Sequence, residues 1–249
     1  MGKKDKSEKA DKAARKAARA EGDREGLFKR AAREAADLAN ATARVEDGLT
    51  LYEYPDYETY RAVQTAGNKA KLKRQFVKES HIVTLSAAID AAIGPVSFGL
   101  CHGTRQGLEQ AWFSAHLAGN PHVLGTEISD TATDFPNTLQ WDFHDPNPDW
   151  QGRADFVYSN SWDHAFDPGR AFGAWVDSLR PGGWLLLDHN RNQAPESANA
   201  LDPFGVTFER LVAMLEEQFR GTARLLPVID TRKTNPDYKV RTVVLRKNV

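Results

Sequence analysis

The 249-residue sequence holds one cysteine, Cys101, and only two methionines. A single thiol excludes an internal disulfide framework and a four-cysteine zinc site. Apolar residues never run for the roughly 20 positions that cross a bilayer. No charged start leads into an apolar core and a small-residue cleavage site, so neither a membrane partner nor a secretory leader is expected. Met1-Gly2 opens like a myristoylation signal, but Lys6 stands where that signal needs Ser or Thr. These absences make cytoplasm the expected compartment. The formal net charge is −1, and with 41% hydrophobic residues the chain can build one sizeable domain with appendages.

Charge is nevertheless uneven. Residues 1–44 hold 13 Lys/Arg against 8 Asp/Glu, whereas the rest hold 20 against 26. From Gly2 to Glu25 the chain is rich in Lys, Ala, Glu and Asp and has no large apolar side chain. Helix is favoured there by propensity, but nothing is available to bury. Two readings stand for residues 1–44: an electrostatic arm for RNA, phosphates or a partner, and a solvated extension. Residues 45–94 change character. Tyr52, Tyr54, Tyr57 and Tyr60 cluster, Gly67-Asn68-Lys69 follows, and Ile82, Leu85, Ala88, Ile89 and Ala92 keep helical spacing up to a Gly94-Pro95 stop. The segment is read as two or three helices over the mouth of a main domain, residues 95–249.

That domain is organised around Val96 to Gly107, a short apolar strand, a turn with few glycines, and a helix start. Leu108, Ala111, Trp112 and Ala115 give the helix an apolar stripe, and Gly119-Asn120 ends it. A strand, turn and helix in this order set free backbone amides beside a helix N-terminus, which suits a carboxylate or phosphate. Next, His122 to Glu127 reads as a strand ending in an acid, 24 residues after Gly103, the span at which a βαβ unit sets an acid on a ribose. A third strand ends near Asp142 and a fourth runs through Asp155-Phe156-Val157-Tyr158. Asp167-Pro168 caps the next helix. Pro181-Gly182-Gly183 turns into the buried run Trp184-Leu185-Leu186-Leu187. Phe208, Leu211, Val212, Leu215 and Phe219 mark a helix, and Ala223–Ile229 and Tyr238–Leu245 mark two closing strands.

In this order the pieces resemble the class I S-adenosylmethionine (SAM)-dependent methyltransferases over residues 94–247. The family's Asp-x-Gly-x-Gly-x-Gly turn falls on Gly99 to Arg105, where only Gly103 keeps its glycine and Cys101 and Arg105 replace the outer two. Leu179-Arg180-Pro181-Gly182-Gly183 matches the family's Leu-x-Pro-Gly-Gly. Thr65 to Lys69, Cys101 to Arg105, Gly125 to Asp130 and Trp141 to His144 look like one subgroup of bacterial and phage-type members. The resemblance implies an α/β fold: a Rossmann-like, seven-stranded, mostly parallel sheet with helices on both faces, a C-terminal antiparallel hairpin and an N-terminal helical extension. It implies S-adenosyl-L-methionine as cofactor, held by Cys101, His102, Gly103 and Thr104 in the turn and by Glu127 and Ile128 at the ribose. Asp142 and Phe143 fall at the adenine, and Asn160 and Ser161 line the fourth-strand edge.

A sulfonium methyl is attacked in line, so the enzyme mainly supplies alignment. An oxygen nucleophile also needs a base, for which His164 is the first choice and His144 the next, followed by His102 and His189. Tyr57, Tyr60, Asn68, Lys69 and His189 are the expected substrate contacts. No Asn-Pro-Pro-Tyr motif follows the fourth strand, which argues against amino methylation of that type. Asp142, Asp163 and Asp188 read as single carboxylates rather than a metal site. The expected activity is methyl transfer to a small molecule, with a sugar or glycan precursor as one candidate. RNA or protein methylation anchored by the basic arm, and SAM binding without catalysis, are the alternatives. The terminal hairpin speaks against a dehydrogenase.

Overall fold

The computed structural model describes Arg30 and residues 33–37 and 39–249. The basic stretch of residues 1–29, with the nucleic-acid contact expected of it, lies outside the described residues.

The first two strands, β1 (Thr42–Glu46) and β2 (Leu49–Glu53), form an antiparallel hairpin closed by Asp47-Gly48. This corrects the expectation of helix throughout residues 45–94. Asp-Gly between two strand-forming runs is itself a hairpin signal, and Leu49 and Leu51 supply the buried face. Two strands alone are marginal; Phe204–Val206, far along the chain, adds the third. Helices α1 (Tyr57–Ala70) and α2 (Glu79–Ile93) follow. The Asp56 carboxylate accepts the Thr59 amide at the start of α1. α2 buries Ile82, Leu85 and Ile89 of the stripe its sequence announces, leaves Ala88 half-buried and Ala92 exposed, and ends where Gly94 takes φ +82°.

The chain then runs through β3 (Phe98–His102), α3 (Leu108–His116), β4 (His122–Glu127), β5 (Thr138–Gln140), β6 (Ala154–Ser159), α4 (Pro168–Ser178) and β7 (Leu179–His189). After these come β8 (Phe204–Val206), α5 (Phe208–Gln218), β9 (Ala223–Leu225), β10 (Ile229–Asp230) and β11 (Arg241–Lys247). β5, β4, β3, β6 and β7 lie side by side and parallel, and β11 joins β7 antiparallel. β9 and β10 both pair with β11, so the expected Rossmann-like sheet with its terminal hairpin is present. Pro227 has no N–H for the ladder; the strand that contains it breaks in two, and the sheet counts 8 strands instead of seven. Pro181-Gly182-Gly183 is a bulge within β7 rather than a turn before it, because Leu179 pairs with Ala154 and Trp184 with Phe156.

Side chains alternate across this sheet. Leu100, Val157 and Leu185 face a core shared with Phe172, Trp175 and Leu211. Cys101, Phe156 and Tyr158 face the other, with Ile82, Leu85 and Phe113. α3 does not bury the stripe expected of it: Ala111 and Ala115 are exposed, and Glu109, Gln110 and Phe113 are buried. Packing Phe113 against Phe156 and Tyr158, with ring centroids 4.7 and 5.3 Å away, removes far more apolar area from water than two alanines do.

Asp155 ties the strand starts together. Its carboxylate accepts from the Ser97 amide (2.8 Å) and hydroxyl (3.0 Å), the Phe98 amide (3.0 Å) and Arg180 Nε (2.5 Å). Burial opposes its ionisation, but these donors outweigh it and hold the carboxyl below its ordinary value. Such a group stabilises the fold above its unfolded pKa of about 3.9, and that contribution is lost as pH falls through the folded value. Asp155→Ala is therefore expected to lower the unfolding free energy at pH 7 by about 1–3 kcal/mol. Urea denaturation at neutral and acid pH checks this, with the deficit shrinking in acid.

Candidate functional site

β3 has β4 on one side and β6 on the other, and the connections leave in opposite directions, which opens a crevice at the carboxyl edge. Gly103 makes the turn out of β3. It takes φ +74°, its amide donates to the Thr126 carbonyl (2.9 Å), and a Cβ there would stand 2.7 Å from that of Ser161. Arg105 takes φ +49°, a left-handed conformation for which glycine is the usual choice. Its amide donates to Glu127 Oε2 (3.2 Å) and its Nη1 to the Arg74 carbonyl (2.8 Å). Its Nε is buried without a partner among the described residues, and burial draws the guanidinium pKa down.

A cavity of about 40 Å³ lies at this edge. From the sheet side it is lined by Gly103, Arg105, Glu127, Ile128, Asp142, Phe143, Ser161 and His164, and from α1 and its end by Tyr60, Gln64, Gly67, Asn68 and Lys71. Its two acids sit in different surroundings. Burial pushes the Glu127 carboxyl up, against the Ser129 and Arg105 amides that bond it. Burial also works against Asp142, but there His144 Nδ1–H (2.6 Å) and the Tyr57 hydroxyl (2.9 Å) prevail and hold its pKa down. His144 Nε2 accepts from the Asp167 amide (3.4 Å), so both ring nitrogens are engaged and the ring orients Asp142.

α1 forms the roof. Tyr57, Tyr60, Gln64, Gly67, Asn68 and Lys71 recur every three or four residues and share one face. Tyr60 donates to the His164 carbonyl (3.1 Å), Gln64 Oε1 meets His164 Nδ1 (2.8 Å), and the Thr131 hydroxyl donates to Asn68 Oδ1 (3.0 Å). Lys71 Nζ pairs with Asp202 (2.8 Å), which also stands 3.4 Å from His164 Nε2. Burial pulls the His164 pKa to about 4, against the attraction of Asp202.

Nine residues expected at the site thus meet at this one cavity: Gly103, Glu127, Ile128, Asp142, Phe143, Ser161, His164, Tyr60 and Asn68. Others do not reach it. Cys101 faces the core beneath the sheet, because alternation turns it away and leaves the thiol buried. His102 is buried against Trp175 (centroids 4.8 Å apart) with Nδ1 on the Thr126 hydroxyl, and burial lowers its pKa to about 3. Thr104 is buried, and its hydroxyl has no partner among the described residues. Asn160 lines a neighbouring cavity instead. Lys69 points outward to Asp130 (2.8 Å), and His189 donates to the Val206 carbonyl (2.8 Å) under the small sheet. Tyr57 reaches the site only through Asp142. Sequence reasoning missed Gln64, Gly67, Lys71, Arg105 and Asp202. The helical period from Tyr57 and Tyr60 points to Gln64, Gly67 and Lys71, whereas no local pattern marks Asp202.

Because the folded pKa of His164 lies below its unfolded value of about 6.5, the folded state binds fewer protons between the two. Its contribution to stability is fully present above the unfolded value and is lost as pH falls toward about 4. Following the imidazole by NMR is expected to find it titrating near the lower value; titration at the ordinary histidine pKa contradicts this account.

No family model matches the sequence, and no curated protein is significantly similar to it. Solved structures do resemble its fold. The 1,6-didemethyltoxoflavin-N1-methyltransferase of Burkholderia thailandensis, with bound 1,6-didemethyltoxoflavin and S-adenosylhomocysteine, is 14% identical at a TM-score of 0.58, over 85% of this chain and 100% of that one. The plantazolicin methyltransferase BpumL, in complex with a pentazolic desmethylPZN analog and S-adenosylhomocysteine, is 13% identical at 0.57, over 77% and 97%. The N-methyltransferase NodS of Bradyrhizobium japonicum, with S-adenosylhomocysteine, is 13% identical at 0.55, over 74% and 98%. Likeness at such identities concerns architecture, and the architecture of this chain is that of the class I SAM-dependent methyltransferases.

Proposed function

We propose that the chain binds SAM in the crevice beside Gly103 and transfers its methyl group to a small-molecule acceptor. One observation carries the reading: Glu127 and Asp142, from the ends of neighbouring parallel strands, line one cavity with Gly103 and Phe143. These groups suit a nucleoside. A carboxylate at Glu127 accepts from two ribose hydroxyls, Asp142 accepts from an exocyclic amine, and the Phe143 ring offers a face to a base. The neighbours of this fold crystallised with S-adenosylhomocysteine (SAH) support the same cofactor.

The enclosed space of about 40 Å³ takes little more than water, and α1 lines it opposite the sheet edge. Binding therefore draws α1 back and frees Asp142 from Tyr57. SAM, when bound, supplies an electrophilic methyl on a sulfonium. The chain's own part is alignment and, for a hydroxyl acceptor, removal of a proton. His164 is a poor base, with its Nδ1 on Gln64 and its pKa near 4.

Calorimetric titration with SAH is expected to give micromolar binding that Glu127→Ala and Asp142→Ala abolish. A wild-type protein that fails to bind SAH overturns the reading. Tyr57→Phe leaves Asp142 available and is expected to bind SAH more tightly, by about tenfold or more, since a hydrogen bond to a charged group is worth about 1.5–3 kcal/mol.

A further inference from the structure

Beyond Ser161 and His164 the crevice adjoins a larger cavity of about 370 Å³. The two share Lys71, Arg105, Ser161 and His164, so a molecule held in the second abuts whatever occupies the first. If the crevice takes SAM, as proposed above, the second cavity receives the acceptor, and its chemistry reports the acceptor's class.

Every lining side chain but Phe76 carries a polar group, although carbon stems and rings also face the space. An apolar acceptor would strip water from these groups and return no hydrogen bonds, which is costly. Charged groups of both signs meet there as well. Lys71, Arg74 and Arg105 line the cavity together with two acids, Asp163 and Asp202. Asp202 is engaged by Lys71 (2.8 Å), and burial together with Asp202 raises the Asp163 carboxyl pKa well above its ordinary value. Three basic side chains thus line the cavity with two acids, Glu127 attracts Arg105 from the crevice side, and Arg105 holds a buried Nε–H that no described residue accepts. A planar guanidinium with a donor to spare matches a carboxylate or phosphate. Asn160 adds a neutral donor. Its Oδ1 accepts from the Tyr238 hydroxyl (2.6 Å), which leaves the amide NH2 for a ligand oxygen.

We propose that the acceptor is a small hydroxylated molecule bearing a carboxylate or phosphate, with the anion on Arg105, in the field of Lys71 and Arg74, and a hydroxyl on the Asn160 amide. The probes are glucuronate, glucose 6-phosphate and glucose, each titrated calorimetrically into the SAH-saturated protein. At least one anion is expected to bind, with glucose at least tenfold weaker, and the preferred anion tells carboxylate from phosphate. Arg105→Met is expected to weaken that anion at least tenfold. Arg74→Met, outside the crevice, is expected to weaken it about threefold while SAH affinity stays unchanged. Equal binding of glucose, binding of neither anion, or anion affinity that survives Arg105→Met overturns the proposal. Failure of SAH itself to bind counts against the cofactor reading instead. The same titrations without SAH then still decide whether the cavity selects anions.

Discussion

The site depends on the parallel pairing of β3 with β4 on one side and β6 on the other. Cys101 stands level with Gly125 in β4 and with Tyr158 in β6, so the three strands end at one height. Gly103, Glu127 and Ser161 then leave the sheet together and their loops enclose one space. A slip of a single residue in either pairing would turn Leu100 and Cys101 to the wrong cores and move the acid or the serine off the edge. Burial on both faces resists that slip, because each core is filled by residues of one parity.

Beneath the edge, a fully buried carboxylate fixes the strand ends. Asp188, near the end of β7, accepts from His81 on α2 (3.0 Å), Tyr158 on β6 (2.6 Å) and Thr242 on β11 (2.7 Å). A buried charge without donors is severely destabilising; with three it specifies how the elements meet. Tyr238 lies 3.3 Å from Asp188 and donates to Asn160, so the network extends from the core into the lining of the larger cavity.

The two acids of the crevice illustrate how environment divides a common chemistry. Both are buried, yet Glu127 is shifted up and Asp142 down, because Asp142 receives two side-chain donors and Glu127 only backbone amides. One of the Asp142 donors, Tyr57, belongs to the roof helix. α1 is thus tied to the edge of the crevice by the Tyr57–Asp142 hydrogen bond.

Much of the architecture was legible in the sequence because its signals are local. The Asp167-Pro168 cap, the Gly94 stop, the α2 stripe and the double-sided apolar run in β7 each depend on neighbours within a few residues. Asp47-Gly48 was an equally local signal, overlooked beside the conspicuous tyrosines. Other features had no local cause. α3 turned Phe113 inward because Phe156 and Tyr158 were there to receive it. Lys69, one step from Asn68 on the same helix, faces Asp130 and not the crevice because successive helical residues point about 100° apart. By itself the sequence determined the strand order, the glycine turn and the acids that end β4 and follow β5. Only the tertiary structure decided that Cys101 and His189 turn away, that Gln64, Lys71 and Asp202 join the site, and that Tyr57 bonds Asp142, since these rest on contacts between segments as far as 131 positions apart.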